Sequence, residues 1–203
     1  MFEHRLSRFD QSITIIHPGE YLATTSDIII STVLGSCISV ALRDKYLSIG
    51  GLNHFMLPGS LESRHPLESP NAKYGMYAME LLINELMKLG CRRERLEAKV
   101  FGGGSVLGHG SNPGGVPKSN IDFAFDYLET ENIPVLSSDV GGGDARKILF
   151  FVRSGKVLLK RITGTLIVAV EEEEEVYLKR IAEIQAKSGE VILFDQDDGS
   201  KQP

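Results

Sequence analysis

Cysteine is scarce in this chain, with two residues, Cys37 and Cys91, among 203. Two thiols close at most one bridge, so a disulfide-stapled scaffold is excluded and each cysteine reads as free, buried or catalytic. Also missing is any uninterrupted apolar run near the roughly 20 residues that cross a bilayer. The opening segment Met1-Phe2-Glu3-His4-Arg5 leads into no apolar stretch with a small-residue cleavage site. Neither membrane insertion nor secretion is expected, and the expected compartment is the cytoplasm. Positive charge is not in excess either: 22 Lys and Arg against 27 Asp and Glu give a formal net charge of -5. Nucleic-acid binding needs a clustered basic face to displace counterions, so no such partner is expected. His4, His17, His65 and His109 have no ligand spacing with one another or with the cysteines, which argues against a metal site. The glycines of 101–108 lack the spacing of a dinucleotide fingerprint, and no Gly-Lys-Ser/Thr ending marks a P-loop. No cofactor is expected.

What is present is an ordinary globular composition, 42% hydrophobic and 24% charged. The length suits one domain, expected to span residues 1–195, with a disordered tail over 196–203. Alternation and β-branched residues predict strands over 12–16, 27–34, 37–43 and 48–57, read together as a β-meander. A polar, proline-punctuated stretch over 57–71 reads as a loop. Apolar residues at helical spacing predict a helix from Asn71, a candidate N-cap, to a stop at Gly90. A strand over 96–101 leads into a glycine-rich loop over 102–115, followed by a helix over 118–131 and a short strand over 133–136. Residues 148–153 and 156–162, joined at Ser154-Gly155, read as a hairpin. A last helix over 173–187 and a strand over 191–194 close the domain. The acidic run Glu171 to Glu175 reads as a solvated helix start favoured by the helix dipole.

The pattern that carries chemistry is Cys37 with His54. If 37–43 and 48–57 pair around a loop centred between Lys45 and Tyr46, Cys37 opposes His54 on one face with Ser39, Ala41, Gly50 and Leu52, while Ile38, Val40, Leu42 and Ile49 take the core side. That reading leaves the reactive face mostly unobstructed. An adjacent imidazole activates a thiol that is otherwise only a few per cent thiolate at neutral pH. Gly35 and Ser36 allow close backbone approach, so the amides around Ser36 and Cys37 are candidate oxyanion donors, and Asn53 is the nearest carboxamide. Ser31 and Thr32 supply hydroxyls on the preceding strand. Against this stands the commoner fate of a cysteine in an apolar strand, a small buried hydrophobe. Cys91, beside Arg92 and Arg93, reads as structural.

The segments Ser31-Thr32-Val33-Leu34-Gly35-Ser36-Cys37 and Asn53-His54-Phe55-Met56-Leu57-Pro58 strongly resemble the chemoreceptor glutamine deamidase family, CheD. Further matches are Lys99-Val100-Phe101-Gly102-Gly103, Asp139-Val140-Gly141-Gly142 with Arg146-Lys147-Ile148, and Gly189-Glu190-Val191-Ile192-Leu193-Phe194, so the resemblance runs over about 15–194. It implies an α/β (α+β) single-domain fold of layered mixed β-sheets flanked by helices, related to toxin-type cysteine deamidases. It implies a cysteine hydrolase with a Cys-His-Thr triad, acting on glutamines in the cytoplasmic helices of methyl-accepting chemoreceptors, with a CheC-type phosphatase as a further partner in some members. Cys37 and His54 match the nucleophile and histidine. The hydroxyl position, six before the nucleophile, falls on Ser31, with Thr32 displaced by one and on the opposite strand face. The segment Gly115 to Asn120 departs from the family pattern and keeps only Asn120. Two other readings stay open: a chemotaxis regulator that binds without turnover, and a cysteine hydrolase acting on receptor methyl esters.

Overall fold

Strands whose residues are apolar on both faces need cover on both sides, and this chain provides it by stacking two five-stranded sheets. The computed structural model describes residues 2–4, 9–61, 66–106, 115–163 and 166–187. The first sheet runs in the order β1 (Phe2–His4), β2 (Ile13–Ile15), β4 (Ile29–Leu34), β9 (Ala145–Phe151), β10 (Val157–Ile162). The second runs β3 (Tyr21–Thr24), β6 (Ile49–Asn53), β5 (Ile38–Asp44), β7 (Leu96–Gly102), β8 (Val135–Val140). The expected meander is corrected by this order, because β2 and β4 pair in parallel in the first sheet while β3, β6 and β5 lie in the second. Both β4 and β5 are almost wholly buried, so each takes a central place in its own sheet. Gly35, Ser36 and Cys37, the residues between them, cross from one sheet to the other.

Two cores result. Ile30, Leu34, Ala41, Leu52, Phe101, Ile148 and Phe150 fill the space between the sheets. Ile38, Val40, Leu42 and Val100 pack on the other side of the second sheet against Met79, Leu82 and Leu86 of α1 (Ala72–Lys88) and Phe123 and Leu128 of α2 (Val116–Thr130). Each such side chain contributes about 1.5–3 kcal/mol of burial, and because β5 sends alternate residues into both cores it is fixed from both sides. The expected mixed α+β layering is what the structure has. Gly90, at φ +97°, stops α1 as expected. Asn71 is not a side-chain cap: its Nδ2 donates to Ser60 O at 2.9 Å. β9 and β10 form the expected antiparallel hairpin, turning at Gly155 with φ +70°.

Helix α3 (Leu166–Lys187) begins well before the expected 173, which moves the acidic run from a helix start into its interior. The expected strand over 191–194 and tail over 196–203 lie outside the described residues. Among the described residues no helix is long and apolar enough to cross a membrane.

Candidate active site

The crossing at 35–37 is shaped by its carbonyls. Gly103 N–H donates to Cys37 O and Gly104 N–H to Gly35 O, both at 2.7 Å, while Asn120 Nδ2 donates to Ser36 O at 2.9 Å. Backbone that leaves the ladder must satisfy its polar groups elsewhere. With the carbonyls held, the three amides need another acceptor, and Gly35, Ser36 and Cys37 each donate to the Glu174 carboxylate at 3.0 Å. The Ser36 hydroxyl adds a fourth bond at 2.6 Å. Gly35 is required here, since a Cβ would lie 2.8 Å from Val106 Cγ2 and 3.1 Å from both Glu174 oxygens.

His54 lies just past β6. Its N–H donates to Glu20 O and its C=O accepts from Gly19 N–H. The expected register is corrected by two residues. Arg43 faces Gly50, and Ile38 bridges Phe55, so Cys37 and His54 are diagonal neighbours and not directly opposed. A shift of two preserves side-chain parity, so Ile38, Val40, Leu42 and Ile49 do take the helix-side core and Cys37 does join the inter-sheet face with Ala41 and Leu52. That face is not open: Cys37 is 0% and His54 2% exposed. A ring nitrogen of His54, Cys37 Sγ and a Glu174 oxygen lie within 4.8 Å of one another.

The hydroxyl partner of His54 is Thr32, at 2.7 Å from Nδ1. Thr32 Oγ1 donates its single proton to Ile16 O at 2.8 Å, so it accepts from the imidazole and fixes the Nδ1–H tautomer. Nε2 is then the proton-accepting nitrogen, and among the described residues it has no hydrogen-bond partner. Ser31, the expected hydroxyl, is not the one placed beside His54: its Oγ is buried without a hydrogen-bond partner among the described residues. The reason is parity, since Thr32 shares a strand face with Ile30 and Leu34 of the inter-sheet core. The Asn53 carboxamide is engaged with the scaffold. Its Oδ1 accepts from Val40 N–H at 2.8 Å and its Nδ2 donates toward Ala78 O and Met79 Sδ, so its carboxamide is committed to β5 and α1.

Burial first, then the Glu174 and Glu173 carboxylates, push the Cys37 thiol well above its ordinary range. Burial holds His54 down to about 4, opposed by Glu174 and reinforced by His17. The closed site therefore contains a neutral thiol beside a neutral imidazole. Burial and Asp44 push Cys91 up to about 11. Cys37, His54 and Glu174 have the donor types of a zinc site. However, each Glu174 oxygen already accepts two hydrogen bonds, which fills the roughly four lone-pair sites of a carboxylate and leaves none for an ion.

Two residues to which the sequence reading gives no place in the site are part of it. Asn120 links the site's two halves, its Oδ1 accepting from Leu57 N–H at 2.8 Å while its Nδ2 holds Ser36 O. Glu174, read as part of a solvated run, is 2% exposed. A usable signal existed in its spacing from Val170, Tyr177 and Ile181, which places it on the helix's apolar stripe.

Residues 56–161 match a family model described as CheD, chemotactic sensory transduction. The chain is 44% identical over 193 residues to the probable chemoreceptor glutamine deamidase CheD of Laribacter hongkongensis, covering 95% of this chain and 91% of that protein. It is 44% identical to the protein of the same name from Janthinobacterium sp. (strain Marseille), covering 92% and 91%. It is 47% identical to that of Methylobacillus flagellatus, covering 88% of each.

Proposed function

Since this chain belongs to the CheD family, we propose that it converts glutamine side chains of chemoreceptors to glutamate, in the cytoplasm, with Cys37 as nucleophile and His54 as acid-base group. The observation that carries this reading is the proton chain Ile16 O, Thr32 Oγ1, His54 Nδ1, which presents Nε2 as a base beside a thiol and a cluster of convergent amides. His54 takes the thiol proton as sulfur attacks the carboxamide carbon. The developing oxyanion is received by the amides of Gly35, Ser36 and Cys37, a role their grip on a carboxylate supports. His54 then protonates the departing ammonia and activates the water that resolves the thioester. A CheC-type phosphatase is a further partner suggested by the family resemblance.

Mass spectrometry of a receptor fragment co-expressed with the wild-type chain or with Cys37→Ala tests the reading. Amide-to-acid conversion at glutamine is expected only with wild type. Binding without conversion would support a non-catalytic regulator, and loss of receptor methyl esters without amide loss would support the esterase reading.

Thr32→Ala is expected to lower kcat about tenfold or more, because an imidazole without its partner samples the wrong tautomer and orientation. Ser31→Ala is expected to leave kcat unchanged and not to destabilise the fold, since it removes a buried hydroxyl that has no partner among the described residues. The opposite ranking in steady-state kinetics would overturn the Thr32 assignment.

Substrate length matters too. Free glutamine brings little remote binding energy to open a closed site and align its amide. Ammonia release should be strong with a receptor fragment, weak with a short peptide and near background with free glutamine. Equal rates on all three would point to a metabolic amidase.

A further inference from the structure

The face that α3 turns toward the rest of the chain is apolar at Val170, Tyr177, Leu178 and Ile181, but its buried centre is a carboxylate. Placing an ionised group in such a seam is costly unless it is fully hydrogen-bonded. The four donors of Gly35, Ser36 and Cys37 provide that, and they belong to the proposed oxyanion site. An apolar residue at 174 would leave those four donors without an acceptor, so the seam takes an acceptor side chain there. What the contact reproduces is the end of the proposed reaction: a glutamate side chain, projecting from a helix, with its carboxylate on the catalytic amides and an oxygen within 4.8 Å of Cys37 Sγ.

Building on the deamidase reading above, we propose that the trough over Cys37 and His54 is the seat of the substrate helix, and that α3 occupies it as a built-in image of the product, to be displaced by the receptor. While α3 is seated the site is sealed, with Cys37 wholly buried, so an outside glutamine reaches the thiol only when Glu174 leaves. The trough continues beside α3 as a cavity of about 400 Å³ walled by Tyr74, Tyr77, Leu81, Tyr177, Ile181 and Ile184, surfaces suited to the apolar flank of a helix. A hydrogen bond between His17 Nδ1 and Glu173 Oε1, at 2.6 Å, pins the neighbouring residue of α3 on the solvent side. Departure of α3 also removes much of the burial and the carboxylates that hold the thiol in its neutral form. The pattern of α3 then describes the substrate: a glutamine set in an apolar stripe, with apolar neighbours four residues before it and three, four and seven after it.

The test is to place the substrate in the seat. In a full-length Glu174→Gln chain, Cys37 sulfur attacks the carboxamide carbon of the introduced side chain, the C–N bond breaks and ammonia leaves with a proton from His54. Water then cleaves the thioester, so glutamine and water become glutamate and ammonia with no redox change. Peptide mass spectrometry of purified Glu174→Gln after incubation is expected to show glutamate at position 174, and Glu174→Gln combined with Cys37→Ala is expected to retain the amide there. Glu174→Ala, which empties the seat, is expected to raise kcat/KM on a receptor fragment about tenfold, as removal of a competing closed state does. If wild type deamidates the receptor fragment while the amide introduced at position 174 persists and Glu174→Ala turns over no faster, the proposal is overturned and the deamidase reading stands. If neither the receptor nor the introduced amide is converted, the deamidase reading falls and takes this proposal with it.

Discussion

Cys37→Ala is expected to lower glutamine turnover by at least about four orders of magnitude, and His54→Ala by a comparable factor, with the double variant no worse than either single one. In the proposed cycle the thiol sulfur forms the acyl intermediate. Thr32 leaves His54 Nε2 as the proton acceptor, so neither group works without the other. Neither change should unfold the chain. Alanine at 37 removes a single sulfur from the inter-sheet core, a loss of about 1 kcal/mol, and Thr32 keeps its bond to Ile16 O when the imidazole is gone. Single-turnover assays with circular dichroism on the same samples check both points. Undiminished turnover in either folded variant would sink the proposed chemistry, and Cys91→Ser serves as the control that should retain full activity.

Gly102→Ala is the second change expected to be severe, although Gly102 touches no substrate. Its φ of +118° lies where side chains are rarely tolerated, and an added Cβ would overlap the carbonyl oxygen of Cys37. That carbonyl also accepts from Gly103 N–H, in the contact that holds the crossing in place. Backbone strain and the overlap together should cost about 2–4 kcal/mol. Relief by moving Cys37 should lower kcat about a hundredfold, since a displacement near 1 Å is enough to misalign a nucleophile. Thermal stability and kcat should fall together. A variant with normal stability and normal kcat would show that the glycine-rich loop does not set the position of Cys37.

The cysteine-histidine pair was legible because its information is local: the residue types are distinctive and side-chain parity survives an error of two in register. The choice between Ser31 and Thr32 was not legible for a different reason. β4 is buried on both faces, so no alternation of polar and apolar residues reveals which side a hydroxyl takes. The helices and the late hairpin were readable from periodicity and turn residues. The division of the first strands between two sheets was not, because pairing partners of β4 include β9, more than a hundred residues away. Asn53 reads as part of the site from its position beside His54, yet an intervening peptide puts its side chain on the α1 side of the sheet. Glu174 is the extreme case, since its partners are 137 to 139 residues distant in sequence.

The passage of the chain from β4 to β5 through Gly35, Ser36 and Cys37 also gives the reaction a mechanical side. His54 reaches Thr32 from the second sheet to the first, so the proposed base and nucleophile are both referenced to the spacing between the two sheets. Densely packed interiors transmit small strains instead of absorbing them. A compression of the sandwich too slight to break a ladder hydrogen bond is therefore expected to change the thiol's approach in the proposed attack, and the turnover rate is expected to respond to hydrostatic pressure.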